Sequence, residues 1–276
     1  MLIQFDPHMK TAGLFWIFAV IAYPQTKPSS KPPGDPPPQA SFGLEDPSIL
    51  QRLPESKPVA GKTVGRIPRL ANGQPDLSGP WEPNAIRENV SLLASGVQIP
   101  FLPAAKAIYD ERIGNRGRED PEARCLPPGV PRLTTTPYPF RFLQVPGLIV
   151  VIYEGGSQTF RQIFTDGRKF SKFAQDLWNG ESIGHWEGDT LVVETTGFNE
   201  RTWIDAAGVP HSTDMKVVEH IRLLGPNDLE IVSTVQDQKM FSAPWSFTTH
   251  PTRLKGEILE YICNENEKDS QHLVGK

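Results

Sequence analysis

From residue 142 onward the chain alternates short β-rich stretches with turn residues. Residues 142–153 form one run rich in Val, Ile and Leu. Residues 159–165 alternate apolar and polar and end at Asp166-Gly167. Residues 182–187 and 190–196 flank Gly188-Asp189. Residues 215–224 and 229–235 flank Gly225-Pro-Asn-Asp228, and residues 245–249 and 258–263 flank a turn near Lys255-Gly256. Period-two alternation broken by Gly, Asp and Asn at regular spacing predicts an antiparallel meander. A meander this long needs closure or a second sheet to protect its edges. The expected fold is therefore mainly β, a calycin-like barrel or a two-sheet sandwich. One short helix is expected over 103–116, with Pro103 in its first turn and Gly114 and Gly117 near its end. Residues 124–132 must be an extended loop, because Pro127, Pro128 and Pro131 bar both helix and central strand. The longest interruptions between strands are 169–180 and 198–213.

Upstream the pattern differs. Lys10 precedes an apolar run over 12–22, too short for a bilayer, which takes roughly 20 apolar residues, and shaped like a secretory h-region ending at Val20 and Ala22. Residues 23–75 carry Pro24, Pro28, Pro32, Pro33, Pro36, Pro37 and Pro38 among polar residues. Such a segment favours polyproline II and reads as a solvated spacer. The expected organisation is a signal peptide over 1–22, a proline-rich linker over 23–75 and a β domain over 76–276. The expected location is periplasmic or extracellular, with no transmembrane span after cleavage.

Composition narrows the function classes. The net charge of −4 gives no basic face for nucleic acid. There is no phosphate loop, dinucleotide fingerprint or Gly-x-Ser-x-Gly elbow, and no cofactor is expected. Cys125 and Cys263 are the only cysteines. In an exported chain they are candidates for a disulfide, the alternative being two buried thiols.

Two places concentrate polar chemistry. The loop over 195–214 carries Asn199, Arg201, Thr202, Trp203, Asp205 and His211. An Asp that orients a His would make an acid–base pair; the plainer reading is that these residues shape turns. In residues 215–222, period two places Met215, Val217, Glu219 and Ile221 on one face, with His220 opposite. A carboxylate on an apolar face must be paired or protonated. Arg161, which shares a face with Ile163 and Thr165, is the expected partner. The histidines show no metal-ligand spacing, and no metal is expected.

Gly79-Pro-Trp81 resembles the Gly-x-Trp opening of lipocalins, and 186–193 (Trp-Glu-Gly-Asp-Thr-Leu-Val-Val) resembles a hairpin of the same calycin superfamily. The chain over 76–267 also resembles a group of secreted bacterial proteins of unassigned function. The shared strings are Arg-Cys-Leu-Pro-Pro-Gly-Val-Pro-Arg (124–132), Arg-Gln-Ile-Phe-Thr-Asp-Gly-Arg (161–168), the string at 186–193, Gly-Phe-Asn-Glu-Arg-Thr-Trp (197–203) and Tyr-Ile-Cys-Asn-Glu-Asn (261–266). That resemblance implies no activity. At 216 the group often carries His where this chain has Lys216, so a metal site shared with His211 would lack a ligand here.

Three functions stay open from sequence. One is a small-molecule-binding barrel, its ligand held by Arg161, Asn199, Trp203, Trp186 and Tyr261. The second is a hydrolase, lyase or isomerase using Asp205, His211 and Glu219. The third is a surface interaction module without a pocket.

Overall fold

The structure, a computed structural model, describes residues 65–83, 91–157, 159–172 and 175–265. The expected signal peptide and most of the linker lie outside these residues. Ten strands form one mixed sheet, curled into a half-barrel. In chain order they are β1 (Gly79–Glu82), β2 (Phe140–Val145), β3 (Leu148–Tyr153), β4 (Phe160–Phe164), β5 (Glu181–Glu187), β6 (Thr190–Thr196), β7 (Lys216–Leu223), β8 (Leu229–Gln236), β9 (Trp245–Thr249) and β10 (Thr252–Arg253). Their order across the sheet is β10-β1-β2-β3-β4-β5-β6-β7-β8-β9.

Turn chemistry explains the tightest hairpins. Val145 pairs with Leu148 across Pro146-Gly147, and Gly147 has φ +77°. Proline fixes the first central residue of such a turn, and glycine takes the positive φ of the second without a Cβ clash. The β-rich run over 142–153 is thus divided between two strands, β2 and β3. Glu187 and Thr190 close around Gly188-Asp189, where glycine takes the positive φ (+59°) at the first central position instead.

The sheet buries one face. Alternate residues such as Ile149 and Val151 on β3, Val217 and Ile221 on β7, and Leu229, Ile231 and Val235 on β8 point into a single core with Trp81, Phe140 and Phe142. Each fully buried large side chain contributes about 1.5–3 kcal/mol relative to exposure. Helix α1 (Pro103–Gly114) starts at a proline and buries Ala105 and Tyr109, one turn apart. Tyr109 rests against Phe101 at 5.3 Å between ring centroids.

Several sequence expectations change. The β4–β5 pairing is parallel, so the sheet is not a pure antiparallel meander. It is long enough for a barrel, but what it forms is a half-barrel. Residues 258–263 are not a strand. After β9 the chain passes His250-Pro251 and pairs with β1 as β10, at the opposite end of the sheet order from β9. The following segment is pinned instead by Leu259 N–H donating to Glu154 (2.7 Å), by Tyr261 against Tyr138 (5.5 Å), and by a Cys125–Cys263 disulfide. The disulfide spans 138 positions. Closing a loop of that length stabilises by about 4–5 kcal/mol in the chain-entropy account.

Residues 65–75, assigned to the linker from sequence, lie on the β domain. Ile67 packs against the core, and the Arg69 guanidinium donates two 2.8 Å hydrogen bonds to the Asp189 carboxylate in the β5–β6 turn.

Two loops are as buried as the sheet. Residues 128–136 are all buried, and so are 198–212 apart from Glu200, Arg201 and Ala206. A Cβ on Gly129 would lie 2.8 Å from Thr202, so the two loops meet at van der Waals contact.

Candidate functional site

A row of polar side chains crosses the buried face of the sheet. On β4, Arg161 alternates with exposed neighbours and points inward. On β7, Glu219 does the same. The Arg161 guanidinium donates to the Glu219 carboxylate at 2.5 Å, to Thr195 Oγ1 on β6 at 2.7 Å and to Ser182 Oγ on β5 at 2.9 Å. Ser182 and Thr195 sit directly opposite in register and their hydroxyls are 3.0 Å apart. The ion pair is buried on both sides. The pairing of Arg161 with Glu219 expected from the strand period is present.

The row is not fully satisfied. Glu219 Oε1 and Ser233 Oγ have no hydrogen-bond partner, though both are buried. Ser233 lies opposite Glu219 on β8. Burial pushes the Tyr153 phenol up to about 12, so it stays a neutral donor and acceptor at neutral pH. Buried polar atoms without partners are rare in native folds.

A cleft reaches this row from outside. β4 and β5 pair at only two positions, Ile163 with Ser182 and Phe164 with Ile183. Before that point the strands part, because Leu177 turns away to bridge Phe198, its N–H donating to Gly197 and its carbonyl accepting from Asn199. The gap is a cleft of about 340 Å³ lined by Arg161, Ser182, Phe160, Phe164, Asn179 and Glu181 among others. Gly180, with φ +67°, turns the chain at its edge. A Cβ there would lie 2.6 Å from Thr195 and 2.8 Å from the Thr196 carbonyl, so only glycine fits.

The loop residues belong to other networks. The Asp205 carboxylate accepts the Val209 N–H through one oxygen and the Leu92 N–H through the other, each at 3.0 Å. Burial pushes its pKa up, against the pull of those donors. His211 Nδ1 lies 3.0 Å from the Ser212 carbonyl, which can only accept, so Nδ1 carries the proton; Nε2 then accepts from the Thr202 hydroxyl at 2.6 Å. Burial holds this imidazole below its ordinary pKa. Among the described residues no hydrogen bond joins Asp205, His211 and Glu219. The acid–base set drawn from sequence is thus divided: Glu219 lies in the sheet row, while Asp205 and His211 hold the loop.

The remaining candidates spread widely. Asn199 is buried, accepts the Arg201 N–H at 3.0 Å, and leaves its Nδ2 unpartnered. Trp203 is buried under the Arg112 guanidinium, 4.7 Å from its ring centroid. Trp186 is half-buried on β5 at the rim of the core. Tyr261 stands beside the disulfide. Of the five ligand-binding candidates, only Arg161 lines the cleft.

Sequence reasoning missed Asp237, Asn179 and Glu181. Asp237 is buried just after β8 and accepts the Ser212 N–H at 2.6 Å and the Ser212 hydroxyl at 2.9 Å. Its signal was an Asp ending an alternating strand before a polar turn. Asn179 and Glu181 end the interruption over 169–180, whose length was the one visible clue.

No helix among the described residues is long and apolar enough to cross a membrane. Among the same residues no group of three or more His, Cys, Asp or Glu side chains is placed to hold a metal ion. Comparison of the chain with models of known protein families, with functionally curated proteins and with solved structures gives no match.

Proposed function

We propose that this is an exported protein that binds a small molecule in the cleft between β4 and β5, with Arg161 and Ser182 as its polar floor. The observation that carries the reading is the coincidence of that cleft with a buried polar row that retains unpartnered atoms. The β ladder satisfies the strand backbone without any help from these side chains. Their burial costs desolvation energy that well-packed apolar residues would avoid. A ligand site is one of the few roles for which such a row is retained. The acid–base alternative draws less support, because Asp205 and His211 are engaged elsewhere.

Export is supported by three features: the h-region over 12–22, the proline-rich stretch after it, and the Cys125–Cys263 disulfide, a bond that persists in oxidising compartments. The curled sheet and the Gly-x-Trp opening of β1 support a calycin-like relation in which the half-barrel acts as a container.

Native mass spectrometry of the protein purified from its own host tests the reading. The expected result is a retained small-molecule mass that disappears in the Phe160→Ser variant at unchanged melting temperature. Phe160 is 60 % exposed at the cleft rim, so its loss does not disturb the core. A protein without any retained mass, and unaffected by small-molecule libraries in thermal-shift assays, would count against the proposal.

A further inference from the structure

Which polar atoms the cleft leaves free indicates what it selects. Arg161 is the one cation among the described residues that line it. That charge is already met by Glu219, and the guanidinium also donates to Ser182 and Thr195. Arg168, on the following turn, stacks over Phe164 at 3.8 Å and gives its hydrogen bonds to Asp166. Both nearby guanidinium groups are therefore engaged by carboxylates of the protein itself.

The acceptors are different. Asn179 Nδ2 lies 2.8 Å from Thr159 Oγ1 and 3.3 Å from the Phe160 carbonyl. A carbonyl only accepts, so the orientation of this amide is fixed: nitrogen toward β4, oxygen away from it. That oxygen, Asn179 Oδ1, is buried and has no partner. Two residues on, the Glu181 carboxylate accepts the Ser171 N–H at 2.7 Å through one of its oxygens and carries a negative charge into the lining. Phe160 and Phe164 supply flat apolar walls.

We infer that the cleft takes the N–H-bearing, uncharged or cationic end of a flat apolar molecule, as in an aryl amine or aryl amide, and turns carboxylates away. The inference rests on the cleft being the binding site. A donor group would satisfy Asn179 Oδ1 and approach Glu181, while its ring would lie against Phe160 and Phe164. A carboxylate would meet one unpartnered acceptor and one like charge, and among the described residues that line the cleft it would find no cation that is not already paired.

Benzylamine and benzoate test this with the same ring and opposite head charges. Both are titrated into the full-length protein, and the side-chain amide signal of Asn179 is followed by NMR at neutral pH. Benzylamine is expected to shift that signal and to bind about tenfold or more tighter than benzoate, the combined size of one weak attraction and one weak repulsion. In Glu181→Gln, whose amide oxygen can still accept the Ser171 N–H, the preference is expected to shrink toward parity at unchanged melting temperature. Benzoate binding as well as or better than benzylamine at the same signals would overturn the ligand class and leave the cleft standing as a site. If neither probe moves the Asn179 signal, the ligand class and the site fall together.

Discussion

Two of the regions in which this molecule buries polar side chains answer to different physics. In the loop over 198–212, Asp205, His211 and Thr202, together with Asp237 beside it, are spent on the chain itself. Asp205 holds two backbone N–H groups, Asp237 holds another, and His211 links a carbonyl to a hydroxyl. A buried loop has no ladder, so side chains must supply the partners that a strand would find next door. In the sheet, the ladder has already satisfied the backbone. Arg161, Ser182, Thr195 and Glu219 bond to one another and leave atoms over. Burial of Asp205, His211 and Asp237 is thus explained by folding. Burial in the sheet needs another reason, and the adjoining cleft supplies one.

The contrast has consequences for mutation. The largest effect is expected for Glu219→Ala, which leaves the Arg161 charge buried and alone. A loss of about 3–5 kcal/mol in chemical denaturation is predicted. Because the partners are side chains, removing both together restores stability, and Arg161→Met with Glu219→Leu should return to near the wild-type value or above it. Asp205→Ala comes next, with a loss of about 2–3 kcal/mol from two orphaned N–H groups. No second substitution can rescue it, since its partners are backbone. A double variant that restored Asp205→Ala, or failed to restore Glu219→Ala, would dissolve the distinction between the two regions.

A smaller effect separates them by pH. Burial holds the His211 imidazole below its ordinary 6.5. In the folded chain it stays neutral as pH falls through 6.5, while in the unfolded chain it takes up a proton. Its share of stability is whole above that value and drains away below it. Between pH 7.5 and 5.5 the wild type should lose about 1 kcal/mol more than His211→Gln. Equal slopes in the two proteins would mean that the imidazole is free to charge. Asp205, raised by burial, acts in the opposite sense: its protonated form is favoured by folding in the window above the ordinary 3.8, so its share declines as pH rises there. The comparison with His211→Gln cancels that contribution. The smallest stability change, within about 0.5 kcal/mol, is expected for Phe160→Ser at the exposed cleft rim.

The same contrast decides what the sequence revealed. Strand period is strict, so the partnership of Arg161 and Glu219 was readable from alternation on two segments 58 positions apart. The loop has no period. Asp205 and His211 are close in sequence, which suggested a pair, but each is aimed by local turns at a different backbone group. Asp237, the anchor of Ser212, stood outside the loop and gave no such hint. The cleft was hidden for a third reason. It exists because β4 and β5 run parallel for two residues and then part, and a meander of hairpins contains no such gap. The long interruption before Gly180 is what allows the chain to return in the parallel sense. The missing strand over 258–263 reflects where the chain goes after β9: it crosses to β1 as β10, and the segment that follows is held by Glu154 and the Cys125–Cys263 disulfide rather than by a ladder.

The central claim is that the sheet row is kept for a ligand rather than for the fold. The most direct test measures both properties on the Arg161→Met, Glu219→Leu double variant, prepared from the native host beside the wild type. The account predicts a melting temperature equal to or above that of the wild type, together with loss of the small-molecule mass that the wild type retains in native mass spectrometry. A double variant that still carries that mass, or that cannot fold although its core volume is conserved, would contradict it.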